Sequence, residues 1–191
     1  MDDPYLLPGT SVLRNRLGIT DPIELHQYEF EATFTRQVEL DARRLPGNYD
    51  LDHLRAVHRH LFQDVYDWAG EIRTVDIAKD RSLFALARFI TDAATDLFGT
   101  LRAEKHLGGL GHDAFVGRAA HYLIEINALH PFREGNGRAQ RAFIGQLATD
   151  AGWRINWSTI DAADNIAASI AGHNRNEQPW RNLFEQATER R

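Results

Sequence analysis

His130-Pro131-Phe132-Arg133-Glu134-Gly135-Asn136-Gly137-Arg138-Ala139-Gln140-Arg141 lies between two runs of helical periodicity. Upstream, Phe115, Ala119, Leu123, Ile126 and Leu129 form one apolar stripe. Pro131 ends it, because proline has no N–H to donate and its ring disfavours a helical residue before it. Downstream, Phe143, Ile144, Leu147 and Ala148 form a second stripe that ends near Gly152. The stretch therefore reads as a tight connection from one helix into the N-terminus of the next, which starts near Arg138. This reading makes the chain mainly α.

The connection has the chemistry of an anion cradle. Gly135 and Gly137 flank Asn136, and without Cβ atoms successive backbone N–H groups can face one concavity. The helix N-terminus that follows adds roughly half a positive charge in the same direction. Arg138 and Arg141 are three residues apart and share a helix face, so two guanidinium forks stand ready for phosphate oxygens. Glu134 supplies a hard oxygen ligand suited to Mg²⁺, which bridges phosphates while keeping several waters. His130 carries the side chain best suited to accept a proton near neutral pH. Each feature alone has a bland explanation: a tight turn, solvated arginines, a helix-end histidine. Together within twelve residues they predict binding of a nucleoside triphosphate and transfer of part of it.

Working outward, Leu51, Leu54, Val57, Leu61, Phe62 and Val65 define a further helix, with Asp50 as N-cap and Gly70 beyond its end. Asp21 to about Leu40 predicts a helix whose apolar positions Ile23, Leu25, Tyr28, Phe34, Val38 and Leu40 follow helical spacing only roughly. Pro4, Pro8 and Gly9 mark an irregular lead-in, followed by a short helix over Val12–Leu17. Ile72, Val75 and Ile77 alternate over Glu71–Ile77, and Lys79-Asp80-Arg81-Ser82 has turn chemistry, so the segment predicts one β-hairpin. Helices are expected again over Arg88–Leu101, Ala162–Ala171 and Trp180–Arg190.

The composition suits one soluble domain of 191 residues with 43% hydrophobic and 26% charged residues. A net charge of −5 lowers the expectation of a nucleic-acid-coating protein. The absence of cysteine removes disulfides, thiolate metal sites and a cysteine nucleophile, and it fits a cytoplasmic chain. The N-terminus has no signal-peptide pattern, and no apolar run approaches the roughly 18 residues of a membrane span. His53, His58 and His60 fall on one helix, but His58 and His60 point about 200° apart, so a chelated metal is not expected there. Trp153, Trp157 and Trp180 read as packing residues. Asn174, Arg175 and Asn176 form a loop that either is solvated or reaches a ribose or base.

Residues 130–141 resemble, without a gap, the signature of Fic-domain proteins, His-x-Phe-x-(Asp/Glu)-Gly-Asn-Gly-Arg-x-x-Arg. His60 to Gly70 with Arg73 is similar to the segment that precedes the family's hairpin "flap". Asp3-Pro4-Tyr5 through Arg14-Asn15-Arg16-Leu17-Gly18 resembles the N-terminal extension of bacterial Fic toxins. The resemblance implies a helical bundle with one short β-hairpin, made of an extension (1–48) packed on a Fic domain (49–187). It implies transfer of AMP from ATP to a Tyr, Ser or Thr hydroxyl of a protein. His130 would be the general base, and Glu134 would hold Mg²⁺ on the α- and β-phosphates. Gly135, Asn136 and Gly137 would form the anion hole, with Arg138 on the β-phosphate side and Arg141 on the γ-phosphate. Phe132 would be a core anchor. The flap, Val75, Asp76, Ile77, Ala78 and Lys79 through Phe84, would register the target by strand addition. Gly137 favours AMP transfer, because related Doc proteins carry lysine there and transfer the γ-phosphate.

The resemblance also carries a regulatory expectation. Family members are often blocked by a Ser/Thr-x-x-x-Glu-Gly/Asn helix that aims its Glu at the second motif arginine. Thr35-Arg36-Gln37-Val38-Glu39 has the first part, but Leu40 follows where Gly or Asn is needed. A separate small antitoxin bearing that helix is therefore the expected partner, directed at Arg141. The expected targets are type II topoisomerases, DNA gyrase and topoisomerase IV. Leu86 stands near a position where such toxins carry histidine. The competing readings are another donor at the same loop, such as UTP, GTP or CDP-choline, or a catalytically silent nucleotide-binding adaptor.

Overall fold

The computed structural model describes residues 3–79 and 82–191 of the chain. Its helices are α1 (Pro22–Ala42), α2 (Leu51–Phe62), α3 (Ile90–Ala103), α4 (His112–Leu129), α5 (Asn136–Asp150), α6 (Ala162–His173) and α7 (Gln178–Ala187). Two small antiparallel ladders accompany them: β1 (Ala78–Lys79) with β2 (Ser82–Leu83), and β3 (Trp153–Ile155) with β4 (Thr188–Arg190). The fold is mainly α, as the sequence predicts. No helix among the described residues is long and apolar enough to cross a membrane.

The expected Asp50 cap forms, and Asp21 caps the helix before it in the same way. Asp21 accepts the amides of Ile23 and Glu24, with Pro22 in the first turn of α1. Asp50 accepts the amide of His53 at the start of α2. α4 is the central helix: Ala120 and Ile124 are buried along with the Phe115–Leu129 stripe, so the helix is apolar nearly all round. α5 lies beside it with two buried faces. Phe143, Ile144 and Leu147 join α4 in one core cluster, and Ala142 joins α2 in a second. That second cluster also holds Tyr5, Val12, Leu25 and Leu40, which fastens the N-terminal segment to α2.

Several expectations are corrected. Val12–Leu17 is not a helix, because the Asn15 side chain draws the chain into a turn. Its Oδ1 accepts the amides of Leu17 and Ile19, and its Nδ2 donates to the carbonyls of Leu13 and Ile19. Glu71–Ile77 is not a strand, and the ladder begins only at Ala78, with Ala78 opposite Leu83 and Lys79 opposite Ser82. Asp80 and Arg81 of the expected turn lie outside the described residues. The last helix stops at Ala187, after which Thr188–Arg190 pairs with Trp153–Ile155. Trp153 and Trp180 are core residues, as expected. Trp157 packs edge-on to Phe184 at the border of a groove.

α1 inverts the expected pattern. Its buried face is Leu25, Glu29, Thr33 and Leu40, whereas Phe30 (63%), Phe34 (62%) and Val38 (53%) are exposed. Two polar residues inside the stripe explain why the helical spacing of its apolar residues is so loose.

Candidate functional site

α4 ends at His130, which adopts a left-handed conformation (φ 45°, ψ 61°) and donates its amide to Ile126 O. Left-handed backbone is unusual for a residue with a Cβ. Here it turns the chain sharply into the 131–135 loop and presents the imidazole at its mouth. The ring Nδ1 lies 3.2 Å from the Asn127 carbonyl, which can only accept. Nδ1 therefore carries a proton, and in the neutral imidazole the lone pair falls on Nε2, the tautomer a general base needs. Phe84, just beyond β2, stacks on the imidazole with ring centres 3.8 Å apart and planes at 19°. The aromatic side chain beside the hairpin thus faces inward onto His130.

The loop is held shut by Asn136. Its Oδ1 accepts the Phe132 amide (2.9 Å) and its Nδ2 donates to the Phe132 carbonyl (2.8 Å), closing 132–136 like a clasp. The first helical bond of α5 runs from the Ala139 amide to Gly135 O. The amides of Asn136, Gly137 and Arg138 thus have no intrahelical acceptors and point out of the helix N-terminus. The two glycines do different work. Gly135 has φ 78°, and a Cβ there would collide with the buried Phe62 ring, lying within 2.9 Å of even the third-nearest atom. Gly137 is helical, and a Cβ there would meet only the Arg141 guanidinium, at 3.4 Å. The first makes the loop possible; the second keeps its mouth open.

Arg138 and Arg141 diverge in their surroundings. Arg138 is ion-paired to Glu29 of α1, hydrogen-bonded to Thr33 at 3.1 Å, and stacked over Phe62 at 4.6 Å. Glu29 also accepts the Tyr66 hydroxyl, and its charge together with burial raises the Tyr66 pKa. Arg141 has no ion pair among the described residues. Burial, and then the charge of Arg138, push its pKa down. It opens into a groove of about 910 Å³ between α1 and α5, bordered by Phe30, Phe34 and Trp157. A half-buried cation with no ion-pair partner among the described residues is a strong pull on an incoming anion.

Glu134 is half exposed, and its Oε1 accepts the Gly135 amide at 2.8 Å while lying 3.8 Å from Arg138. Among the described residues it belongs to no cluster of three or more histidine and carboxylate ligands. It suits Mg²⁺ that takes one protein oxygen and draws its other ligands from phosphates and water.

Three further residues have roles in the site that the sequence does not show, Arg73 among them, which reads there only as part of the segment before the flap. Glu29 and Arg73 act over long separations. His58, weighed only as a metal ligand, accepts the Gly70 amide on Nδ1 (2.8 Å) and donates from Nε2 to the Glu134 carbonyl (2.9 Å), tying α2 to the motif loop. Its ring stacks on Phe132 at 3.9 Å. Burial drives its pKa down to about 3. Across the interval from there to its ordinary value of 6.5, the unfolded chain binds more protons than the folded one. The stabilisation is thus complete above pH 6.5 and is lost as pH falls through the interval, at up to about 1.4 kcal/mol per pH unit. Urea midpoints of the wild type should fall over this range, and those of His58→Asn should fall less steeply. His53, also lowered by burial, leaves a residual slope. An equal slope in both proteins would remove His58 from this role.

Glu39, the carboxylate of the incomplete inhibitory pattern, pairs with Arg36 at 2.8 Å and lies 3.7 Å from His60, and is not at Arg141.

Residues 48–148 match the profile of the Fic/DOC family. Protein adenylyltransferase VbhT of Bartonella schoenbuchensis is 43% identical over the whole of this chain, which spans 41% of VbhT. A Salmonella typhimurium protein named "probable protein adenylyltransferase Fic" is 42% identical over 97% of this chain and 92% of its own length. Among solved structures, BepC of Bartonella tribocorum with bound AMPPNP superposes with a TM-score of 0.93 at 30% identity, covering 98% of this chain and 97% of that one.

Proposed function

The chain belongs to the Fic/DOC family, and from that premise we propose that it is a protein adenylyltransferase, moving AMP from ATP to a Tyr, Ser or Thr hydroxyl of a target protein. One observation carries the reading: the His130 imidazole, with Nδ1 turned to the Asn127 carbonyl, stands at the rim of a helix N-terminus whose first amides have no intrahelical acceptors among the described residues. In this reading His130 takes the target hydroxyl's proton as that oxygen attacks the α-phosphorus. The bond to the bridging oxygen breaks, and pyrophosphate leaves. The amides of Asn136, Gly137 and Arg138 face the phosphates, and Arg141 meets the γ-phosphate end. Glu134 holds Mg²⁺, which when bound offsets phosphate charge. Arg138, already neutralised by Glu29, contributes its remaining N–H groups toward the β-phosphate. The target segment adds to the backbone edge of the flap. Gly137 favours the α-phosphate as the group transferred.

The experiment is incubation with α-labelled ATP, Mg²⁺ and bacterial lysate in a cytoplasm-like buffer, with purified gyrase and topoisomerase IV subunits as candidate acceptors. Label from the α-phosphate on protein supports the reading. Label only from γ-labelled ATP would show a kinase instead.

The groove beside Arg141 supports a partner as well. A helix of a small antitoxin, apolar toward Phe30 and Phe34 and bearing a Glu for Arg141, fits its chemistry. The chain alone is then active and toxic to a host cell. Harmless expression together with absent labelling of lysate proteins would overturn this. Arg141→Ala should weaken ATP binding by at least ten-fold while leaving the melting temperature nearly unchanged, since the arginine has no ionic partner among the described residues to lose. Calorimetric titration with ATP checks it.

A further inference from the structure

Arg73 is 1% exposed and has no carboxylate within ion-pair distance among the described residues. Its guanidinium instead binds three backbone carbonyls belonging to three separate pieces of the site. Nε donates to His130 O at 2.8 Å, Nη1 to Val75 O at 2.6 Å, and Nη2 to Ala85 O. Its own amide donates to Pro131 O at 2.9 Å. Val75 and Ala85 stand on either side of the β1–β2 hairpin, so one side chain clamps both feet of the flap and the catalytic residue together. A second tie lies just beyond: Asp76 Oδ1 accepts the Ala87 amide at 2.7 Å. The Ala85 amide continues the series to Ala128 O in α4 at 3.0 Å.

We propose that Arg73, supported by Asp76, is the positioning residue that fixes the flap at a set height over His130, and so sets where a target hydroxyl stands relative to the base. The proposal rests on the AMP-transfer reading above and deepens it. Only a planar, forked cation can reach three divergent carbonyls at once; a lysine ammonium offers its donors from a single atom. The carbonyl dipoles replace the missing carboxylate. Burial lowers the Arg73 pKa, opposed by the charge of Asp76 beyond ion-pair distance, so these contacts compensate a desolvated charge. The contact to His130 O also supports that residue's left-handed backbone, the conformation that carries the imidazole to the mouth of the loop.

The test compares Arg73→Lys and Asp76→Ala with the wild type in three measurements: hydrogen exchange of amides 75–87, ATP affinity, and steady-state transfer of labelled AMP to a protein acceptor. Arg73→Lys should raise flap exchange and the KM for the acceptor about ten-fold or more, with ATP affinity within two-fold. Asp76→Ala should shift the same two quantities in the same direction by less. Asp76 is exposed, so that variant carries the test if Arg73→Lys does not fold. Unchanged flap exchange in the folded variants, or ATP affinity falling as far as acceptor KM rises, overturns the proposal. If the wild type labels no acceptor, the AMP-transfer reading fails by itself. Flap exchange measured against ATP affinity then still decides whether Arg73 anchors the flap.

Discussion

His130→Ala will lower AMP transfer by about 10²–10⁴-fold, the range that one positioned general base contributes, while ATP still binds within a few-fold of wild type. The two halves separate because the site's parts are separate. The amides proposed to face the phosphates belong to α5, and the clasp that shapes the loop is made between Asn136 and Phe132. Alanine keeps a Cβ at φ 45°, so the substitution adds no backbone strain of its own. It does remove the ring beneath Phe84, and a modest rise in acceptor KM is expected from a looser flap. Single-turnover labelling with saturating ATP, alongside a titration of nucleotide affinity, reads both quantities. Transfer preserved within ten-fold would mean that another group takes the proton.

The second large effect is a contrast between neighbouring glycines. Gly135→Ala will destabilise the fold by roughly 2–5 kcal/mol, from left-handed strain together with overpacking against Phe62. That ring has nowhere to go: His58 stacks on it with centres 4.6 Å apart, and the Arg138 guanidinium lies 4.6 Å over it. The melting temperature should drop by on the order of 10 °C. Gly137→Ala, two residues on, should melt at or slightly above the wild-type temperature, because alanine suits a helix interior better than glycine. Its cost falls on ATP, since the new methyl projects where phosphate oxygens would approach beside Arg141. Thermal melts and nucleotide titrations on the pair should therefore give opposite patterns. If Gly137→Ala melted as low as Gly135→Ala, the division of labour between the two would be wrong.

The parts of this protein that a sequence reader can find are those whose cause is local. Asp21 and Asp50 cap the helices they precede because a cap needs only the next three amides. The 130–141 stretch shows its chemistry because histidine, carboxylate, amides and arginines come from one loop and one helical turn. The clamp and tether residues are opaque for the opposite reason. Glu29 meets Arg138 across 109 positions, His58 meets Glu134 across 76, and Arg73 meets His130 across 57. Nothing near them in the chain announces a partner. The β3–β4 ladder was hidden in the same way, since three residues after a helix carry no period of their own. Where local reading erred, a single side chain had redirected the backbone, as Asn15 does, or a polar pair had taken core positions, as Glu29 and Thr33 do in α1.

The pairing of Glu29 with Arg138 bears on how such proteins can exchange parts. The family profile begins at residue 48, past the end of α1. A segment cut there keeps every motif residue but lacks the anion beneath Arg138, and it bares the surface that Leu25 and Leu40 cover. Grafted into another scaffold, it would bring two neighbouring guanidinium groups with only the half-exposed Glu134, 3.8 Å from Arg138, left as a counter-charge. The transplantable unit is therefore larger than the signature that identifies it: α1 has to travel with the motif, and a recombinant that separates the two loses the buried partner of Arg138.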